Sequence, residues 1–252
     1  MEALRVENLS RRFGGLLALD GVSFAVASGE RLGIIGPNGA GKTTLFQIVS
    51  GIIRPSEGRV LAYERDITNM PAHGRAAAGI GRTFQITNLF MQLSVLENIV
   101  LALQAHSRAK YNLLKPFLAY DGIVLKAEEL LLEWGLAHRA AEPVETLAYG
   151  EQRQLEIILA LAQEPSILLL DEPTCGLSPE EADKCVSVLQ SLSRSIALVL
   201  IDHDMDVLFS VVDRVVVMHF GSVVADGRPD EVKADSKVQQ IYMGAVDEYS
   251  RS

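Results

Sequence analysis

The chain has 252 residues, 48% of them hydrophobic and 22% charged, which supplies a full core and excludes a wholly disordered polypeptide. At about 150 residues per domain, the length corresponds to one large domain or two small lobes. With 23 Lys+Arg against 32 Asp+Glu the formal net charge is −9, a poor match to a nucleic-acid phosphate backbone, so no nucleic-acid partner is expected.

Taken in chain order, apolar alternation predicts strands over 4–9 and 22–26 with one face toward solvent. The N-terminal residues carry Glu2, Arg5 and Glu7, so no signal-peptide apolar region is expected. Residues 31–35 form a short apolar run that ends in a glycine-rich turn, and 42–49 follow at helical period. From 87 to 148 the pattern is helical only. A capping-box sequence at Ser94-Val95-Leu96-Glu97 opens one helix, another covers 123–134, and Pro116 and Asp121-Gly122 mark breaks. Trp134 and the apolar face around it are expected in the core of this lobe.

A further helix is expected from the Leu147-Ala148-Tyr149 region to about Gln163. The runs 167–170, 197–201 and 214–218 are apolar at nearly every position, which suits parallel strands covered on both faces. None of these runs approaches the roughly 18 apolar residues of a spanning helix. Two cysteines, Cys175 and Cys185, build no disulfide framework and fit a reducing compartment. The fold class is therefore α/β. A mostly parallel sheet forms a core from 1–86 and 149–245, an antiparallel β subdomain lies at the N-terminus, a helical subdomain is inserted at 87–148, and a frayed tail covers 246–252.

The residues Gly36, Pro37, Asn38, Gly39, Ala40, Gly41, Lys42, Thr43 and Thr44 fit G-x-x-x-x-G-K-[ST] between a strand and a helix. Glycines let backbone N–H groups wrap a polyphosphate, and the helix adds its positive end. Lys42 would reach the β- and γ-phosphates, and the Thr43 hydroxyl would ligate Mg²⁺. The run 167–170 then delivers Asp171 and Glu172 at a strand end, a costly place for two acids unless they face a cation or substrate. Asp171 would hold Mg²⁺ and Glu172 would act as general base on the attacking water.

Three further segments separate the many P-loop enzymes from one another. Gln85 closes Arg82-Thr83-Phe84-Gln85, Leu147-Ala148-Tyr149-Gly150-Glu151 precedes the long helix, and His203 follows a strand in Asp202-His203-Asp204. In this order the elements resemble the ATP-binding subunit of an ABC transporter over residues 4–243. The local wording at 13–16, 36–46, 82–85, 94–98, 147–157 and 171–179 resembles the ATPases of branched-chain amino-acid importers of the LivG type.

The resemblance implies further roles. Phe13 would stack on adenine, Gln85 would contact Mg²⁺ and the attacking water, and His203 would hydrogen-bond the γ-phosphate. Residues Ala148, Tyr149, Gly150 and Glu151 would meet ATP bound to a second ATPase subunit, closing head-to-tail. It also implies integral membrane permease subunits, a substrate-binding protein and a place on the cytoplasmic face of the cell membrane. The cargo would be branched-chain or other amino acids. Related importers of urea, amides or aromatic acids, an exporter, and a soluble ABC ATPase are the alternatives, together with a clamp that binds ATP without hydrolysing it.

Three positions depart from the family pattern. The signature usually reads L-S-G-G-Q, whereas Ala148 has no hydroxyl to offer a phosphate. The Gly150 N–H and the helix start remain, and one neutral hydrogen bond is worth about 0.5–1.5 kcal/mol. Phe13 lacks the hydroxyl of the more frequent Tyr, which stacking does not need. Ser178 replaces a frequent Asp; it is either the N-cap of a helix with Pro179 at N1 and Glu181 at N3, or a point of subunit cross-talk. Asp202 and Asp204 are open to two readings, helix capping or metal binding. His73, His106, His138 and His219 are expected at the surface or in loops, and Cys175 without special reactivity.

Overall fold

The computed structural model describes residues 1–83, 89–106 and 121–249. In chain order the strands are β1 (Glu2–Phe13), β2 (Leu16–Ala27), β3 (Arg31–Ile35), β4 (Glu57–Ala62), β5 (Arg65–Asp66), β6 (Ile80–Arg82), β7 (Ile167–Asp171), β8 (Ala197–Ile201), β9 (Arg214–His219) and β10 (Ser222–Gly227). The helices are α1 (Lys42–Val49), α2 (Ala72–Ala77), α3 (Val95–His106), α4 (Asp121–Glu133), α5 (Tyr149–Leu161), α6 (Pro179–Ser191), α7 (Met205–Val211), α8 (Pro229–Ala234) and α9 (Ser236–Tyr249).

Two sheets organise the chain. An antiparallel sheet runs β2-β1-β4-β5, and a six-stranded sheet runs β10-β9-β3-β8-β7-β6. In the second, β3 pairs in parallel with β8 and β9, and β7 with β6 and β8, while β10 is antiparallel to β9 at one edge.

The continuous apolar runs are explained by two cores on opposite faces of this sheet. In β7, Ile167 and Leu169 enter one core and Leu168 and Leu170 the other, and β8 divides the same way. One core lies with β1, β2 and α1 around Leu4, Val26, Leu45 and Phe46. The other continues into the helices through Leu155, Leu131, Ile99 and Trp134. Trp134 thus sits in the helical core where the pattern put it, and its carbonyl accepts from Gln154 Nε2 at 2.6 Å.

Within its described residues the helical stretch behaves as read. Ser94 caps α3 through a reciprocal pair: its N–H donates to Glu97 Oε2 at 2.7 Å and its hydroxyl accepts from the Glu97 N–H at 3.2 Å. Asp121 and Gly122 lie in the first described turn of α4, where an acid is favourable. Pro116 lies outside the described residues. Among the described residues of 89–106 and 121–148 there is no strand, only a bridge between Ser94 and Pro143.

Strands β4, β5, β6 and β10 were not predicted, and β1 and β2 are longer than the alternation indicated. Helix α9 continues to Tyr249, so the backbone is helical beyond the boundary set for a frayed tail at 246–252. No helix among the described residues is long and apolar enough to cross a membrane.

Candidate functional site

The buried strand β3 ends in the middle of the parallel sheet and hands the chain to the glycine-rich turn. A Cβ on Gly36 would lie 2.2 Å from the Met218 carbonyl of neighbouring β9, and one on Gly41 2.6 Å from the Ala18 carbonyl. Gly41 also has φ +98°, so the turn demands glycine on conformation as well as space. Helix α1 begins directly behind it with no side-chain cap and no acid in its first turn. Its first N–H groups and positive dipole end therefore suit an anion.

Lys42 is buried and its Nζ donates to the Gly36 and Pro37 carbonyls at 2.6 and 3.1 Å. Burial lowers its pKa, and the carboxylates of Glu172 and Asp171 oppose that shift. Thr43 is exposed beside it. Tyr242 of α9 is hydrogen-bonded to the Gly36 backbone, and burial pushes its phenol up to about 12. Tyr242 carries no motif that would reveal this contact in advance.

At the end of β7, Asp171 is buried and its Oδ2 lies 3.3 Å from Arg82 Nη2, while Oδ1 has no hydrogen-bond partner. Burial raises the Asp171 pKa, and Arg82 pulls it back down. Arg82 is delivered by the three-residue edge strand β6 and also donates to Ser50 Oγ at 2.7 Å, a fastening role that sequence reasoning missed.

Strands β7 and β8 are parallel neighbours with Asp171 level with Ile201. Glu172, one residue beyond Asp171, and His203, two beyond Ile201, consequently meet, with Oε1 and Nε2 2.6 Å apart. Glu172 adopts φ +50°, a sparsely populated conformation for a side chain of its size, and its N–H donates to the Ile201 carbonyl at 2.8 Å. Between the two loops, buried Asp202 accepts from Thr174 Oγ1 at 2.7 Å and from the Asp204 N–H at 3.0 Å. Asp204 in turn caps α7 through the Asp206 and Val207 N–H groups. These engagements fit the capping reading for Asp204, while Asp202 fastens the two loops to each other.

A cleft of about 380 Å³ brings Phe13, Lys42, Thr43, Glu172 and His203 together, with Asn38, Gly39, Ala40, Gly41 and Thr44 along its wall. Phe13 stands at the rim, with the Arg11 guanidinium 4.6 Å from its ring centre. Phe220, from the β9–β10 turn, lines the same cleft. His219 is not a bystander in this turn, since its ring lies 4.2 Å from that of Phe220. Gln85 lies outside the described residues.

Ala148, Tyr149, Gly150 and Glu151 do not line this cleft. Ala148 is the N-cap of α5 and its N–H donates to Glu151 Oε2 at 3.0 Å. The Glu181 carboxylate lies beside Gly150 and accepts from the Ser178 N–H and hydroxyl at 2.9 and 2.8 Å. Hydrogen bonds from Ser178 hold the Glu181 carboxyl below its usual pKa. Ser178 is thus the N-cap of α6 with Pro179 at N1.

Residues 19–175 match the ABC transporter family. The chain is 36% identical to the high-affinity branched-chain amino acid transport ATP-binding protein BraF of Pseudomonas aeruginosa, over 96% of this chain and 97% of that protein. It is 34% identical to the corresponding LivG protein of Escherichia coli over 96% and 97%. The lipopolysaccharide export system ATP-binding protein LptB of Haemophilus influenzae is 33% identical over 97% and 98%. Among solved structures, an ATP-binding cassette of an ABC transporter in its ADP conformation superimposes with a TM-score of 0.86 and 34% identity, covering 97% of this chain and 99% of that one. A dimeric cassette in a post-hydrolysis state bound to ADP and Pi gives 0.77 at 26% identity, covering 90% and 98%.

Proposed function

The chain belongs to the ABC transporter family and is an ATP-binding, ATP-hydrolysing enzyme, and on that premise we propose that it energises an importer of branched-chain or other amino acids. The observation that carries the catalytic part is the convergence of Lys42, Thr43, Glu172 and His203 on one cleft, with Glu172 and His203 in contact.

In this reading the phosphate loop and the first N–H groups of α1 hold the β- and γ-phosphates, and Lys42 leaves its own carbonyl partners for them. Thr43 and Asp171 would hold Mg²⁺. Their chemistry fits, since Mg²⁺ takes one or two protein oxygens together with phosphates and waters, and Asp171 Oδ1 is a buried acceptor without a partner. When bound, the ion neutralises charge on the transferring phosphoryl group. Glu172 accepts the proton of the attacking water, and His203 Nε2 donates to the γ-phosphate. Gln85 would join them at Mg²⁺ and the attacking water. Phe13 offers a ring face to adenine.

The site is completed by a second ATPase subunit, identical or related, closing head-to-tail so that Ala148, Tyr149, Gly150 and Glu151 meet its nucleotide. Closure and reopening drive integral permease subunits, which hold the chain on the cytoplasmic face of the membrane and receive cargo from a substrate-binding protein. The similarity to LptB at nearly the same identity supports a second reading, export.

The test is purification of the native complex from membranes, followed by phosphate-release assays with its binding protein. Stimulation by a branched-chain amino acid is the expected result. A complex without a binding protein, or one stimulated by a lipid instead, refutes import.

A further inference from the structure

Phe220 is a large apolar side chain left 81% exposed, and it stands at φ +44°. That conformation is uncommon for any side chain and an outlier for a bulky one. The exposed ring adds nothing to either core. Two unfavourable choices therefore coincide at one residue, and such outliers concentrate where function requires them.

The surroundings say what the ring faces. The turn that carries Phe220 is tied to the phosphate loop, since the Gly221 N–H donates to the Ala40 carbonyl at 3.1 Å. It is tied to β2 as well, through the Asp20 N–H on the Gly221 carbonyl at 2.9 Å. His219, the last residue of β9, packs against the ring. Phe220 is thereby fixed along the same cleft as Phe13 and Lys42. One side of Phe13 is already occupied by Arg11, so Phe13 alone provides at most a single face at the rim.

We propose that Phe220 is a second nucleobase contact, which together with Phe13 encloses the base of the bound nucleotide at the mouth of the cleft. The inference rests on the nucleotide reading of this site and deepens it. Phe220 would act on affinity for the nucleoside part alone, leaving the phosphates to Lys42 and α1. Because every base has a π-face, the contact favours nucleotides over bare polyphosphate without choosing strongly between ATP and GTP.

The experiment compares Phe220→Asn, a residue that tolerates the left-handed backbone, with the parent chain and with Phe220→Tyr. Binding of Mg²⁺-ATP, Mg²⁺-GTP and Mg²⁺-tripolyphosphate to the full chain is measured by calorimetry, with melting temperature as a check on folding. Phe220→Asn is expected to weaken ATP and GTP by about 5- to 10-fold, the lower end of base–aromatic stacking, and to leave tripolyphosphate unchanged. Phe220→Tyr is expected to retain parental affinity. Unchanged ATP affinity in Phe220→Asn overturns the inference and leaves the ATP site standing. Equal weakening of ATP and tripolyphosphate also overturns it, since the turn would then act through Ala40. Failure of the parent chain to bind ATP at all overturns the site reading itself.

Discussion

Helix α1 starts at Lys42 behind Gly41, and helix α5 starts at Tyr149 behind Ala148; neither first turn is capped by its own N-cap side chain. Each therefore leaves its first N–H groups and positive dipole end to partners other than an N-cap side chain. The two ends are finished differently. No acid stands in the first turn of α1, and its neighbour is the ammonium of Lys42. The end of α5 is flanked by two carboxylates of the same chain, Glu151 on the Ala148 N–H and Glu181 beside Gly150. An anion can approach α1 with charge in its favour, whereas at α5 it meets two carboxylates, one of them already on a backbone amide. The first geometry suits a site built from one chain, the second a site offered to another.

The largest effect is expected beside α1. Glu172→Gln removes the proton acceptor while keeping the size of the side chain and its place next to His203. Phosphate release should fall by about 10²- to 10⁴-fold, the range for loss of a positioned general base, with ATP affinity retained. Parental turnover would transfer the base role elsewhere. Lys42→Ala comes next. Losing charge-assisted hydrogen bonds of about 1.5–3 kcal/mol should weaken ATP by roughly 10- to 100-fold in calorimetry. Ala148→Ser at the start of α5 should leave ATP binding by the isolated chain unchanged. An equal response at both positions would erase the distinction between the two ends.

Substituting the glycines sharpens the contrast at smaller scale. Gly41→Ala sets a Cβ 2.6 Å from a backbone carbonyl at φ +98°, and neither can give way cheaply. A loss of about 1–3 kcal/mol in urea unfolding is expected from the conformation alone. Gly150→Ala sets its Cβ 2.2 Å from Glu181 Oε1, a side-chain end that can turn away only at some cost to its hydrogen bonds from Ser178. Alanine offsets this by favouring the helix by up to ~1 kcal/mol, so stability should change little.

The α1 site was legible to different depths. The phosphate loop and the acids Asp171 and Glu172 could be read locally, because a glycine pattern and a strand end carry their own context. Strands β3, β7, β8 and β9 were equally plain, since cover on both faces makes every position apolar. The meeting of Glu172 with His203 required knowing that β7 and β8 are neighbours, which no local pattern states. Phe220 was hidden for the same reason, as its turn reaches the phosphate loop only because β9 lies beside β3. Strand β6, which positions Arg82, is three residues long with Gly81 in its middle, and β10 is half-exposed and ends in Asp226-Gly227. Neither has the apolar run by which strands are recognised.

The subtlest expected effect tests whether charge is what closes the end of α5. The Glu181 carboxyl is held below its ordinary value of 4.5 by hydrogen bonds from Ser178. A carboxylate with a depressed folded-state pKa contributes stability above its unfolded pKa, and the contribution disappears as pH falls through the folded value. Glu181→Gln should therefore lower the urea midpoint at pH 7, and the gap from the parent chain should narrow below about pH 4.5 as the parent carboxylate takes up its proton. A gap that persists unchanged into acid would mean that Glu181 closes α5 by shape and neutral hydrogen bonds. The two helix ends would then differ in packing rather than in charge.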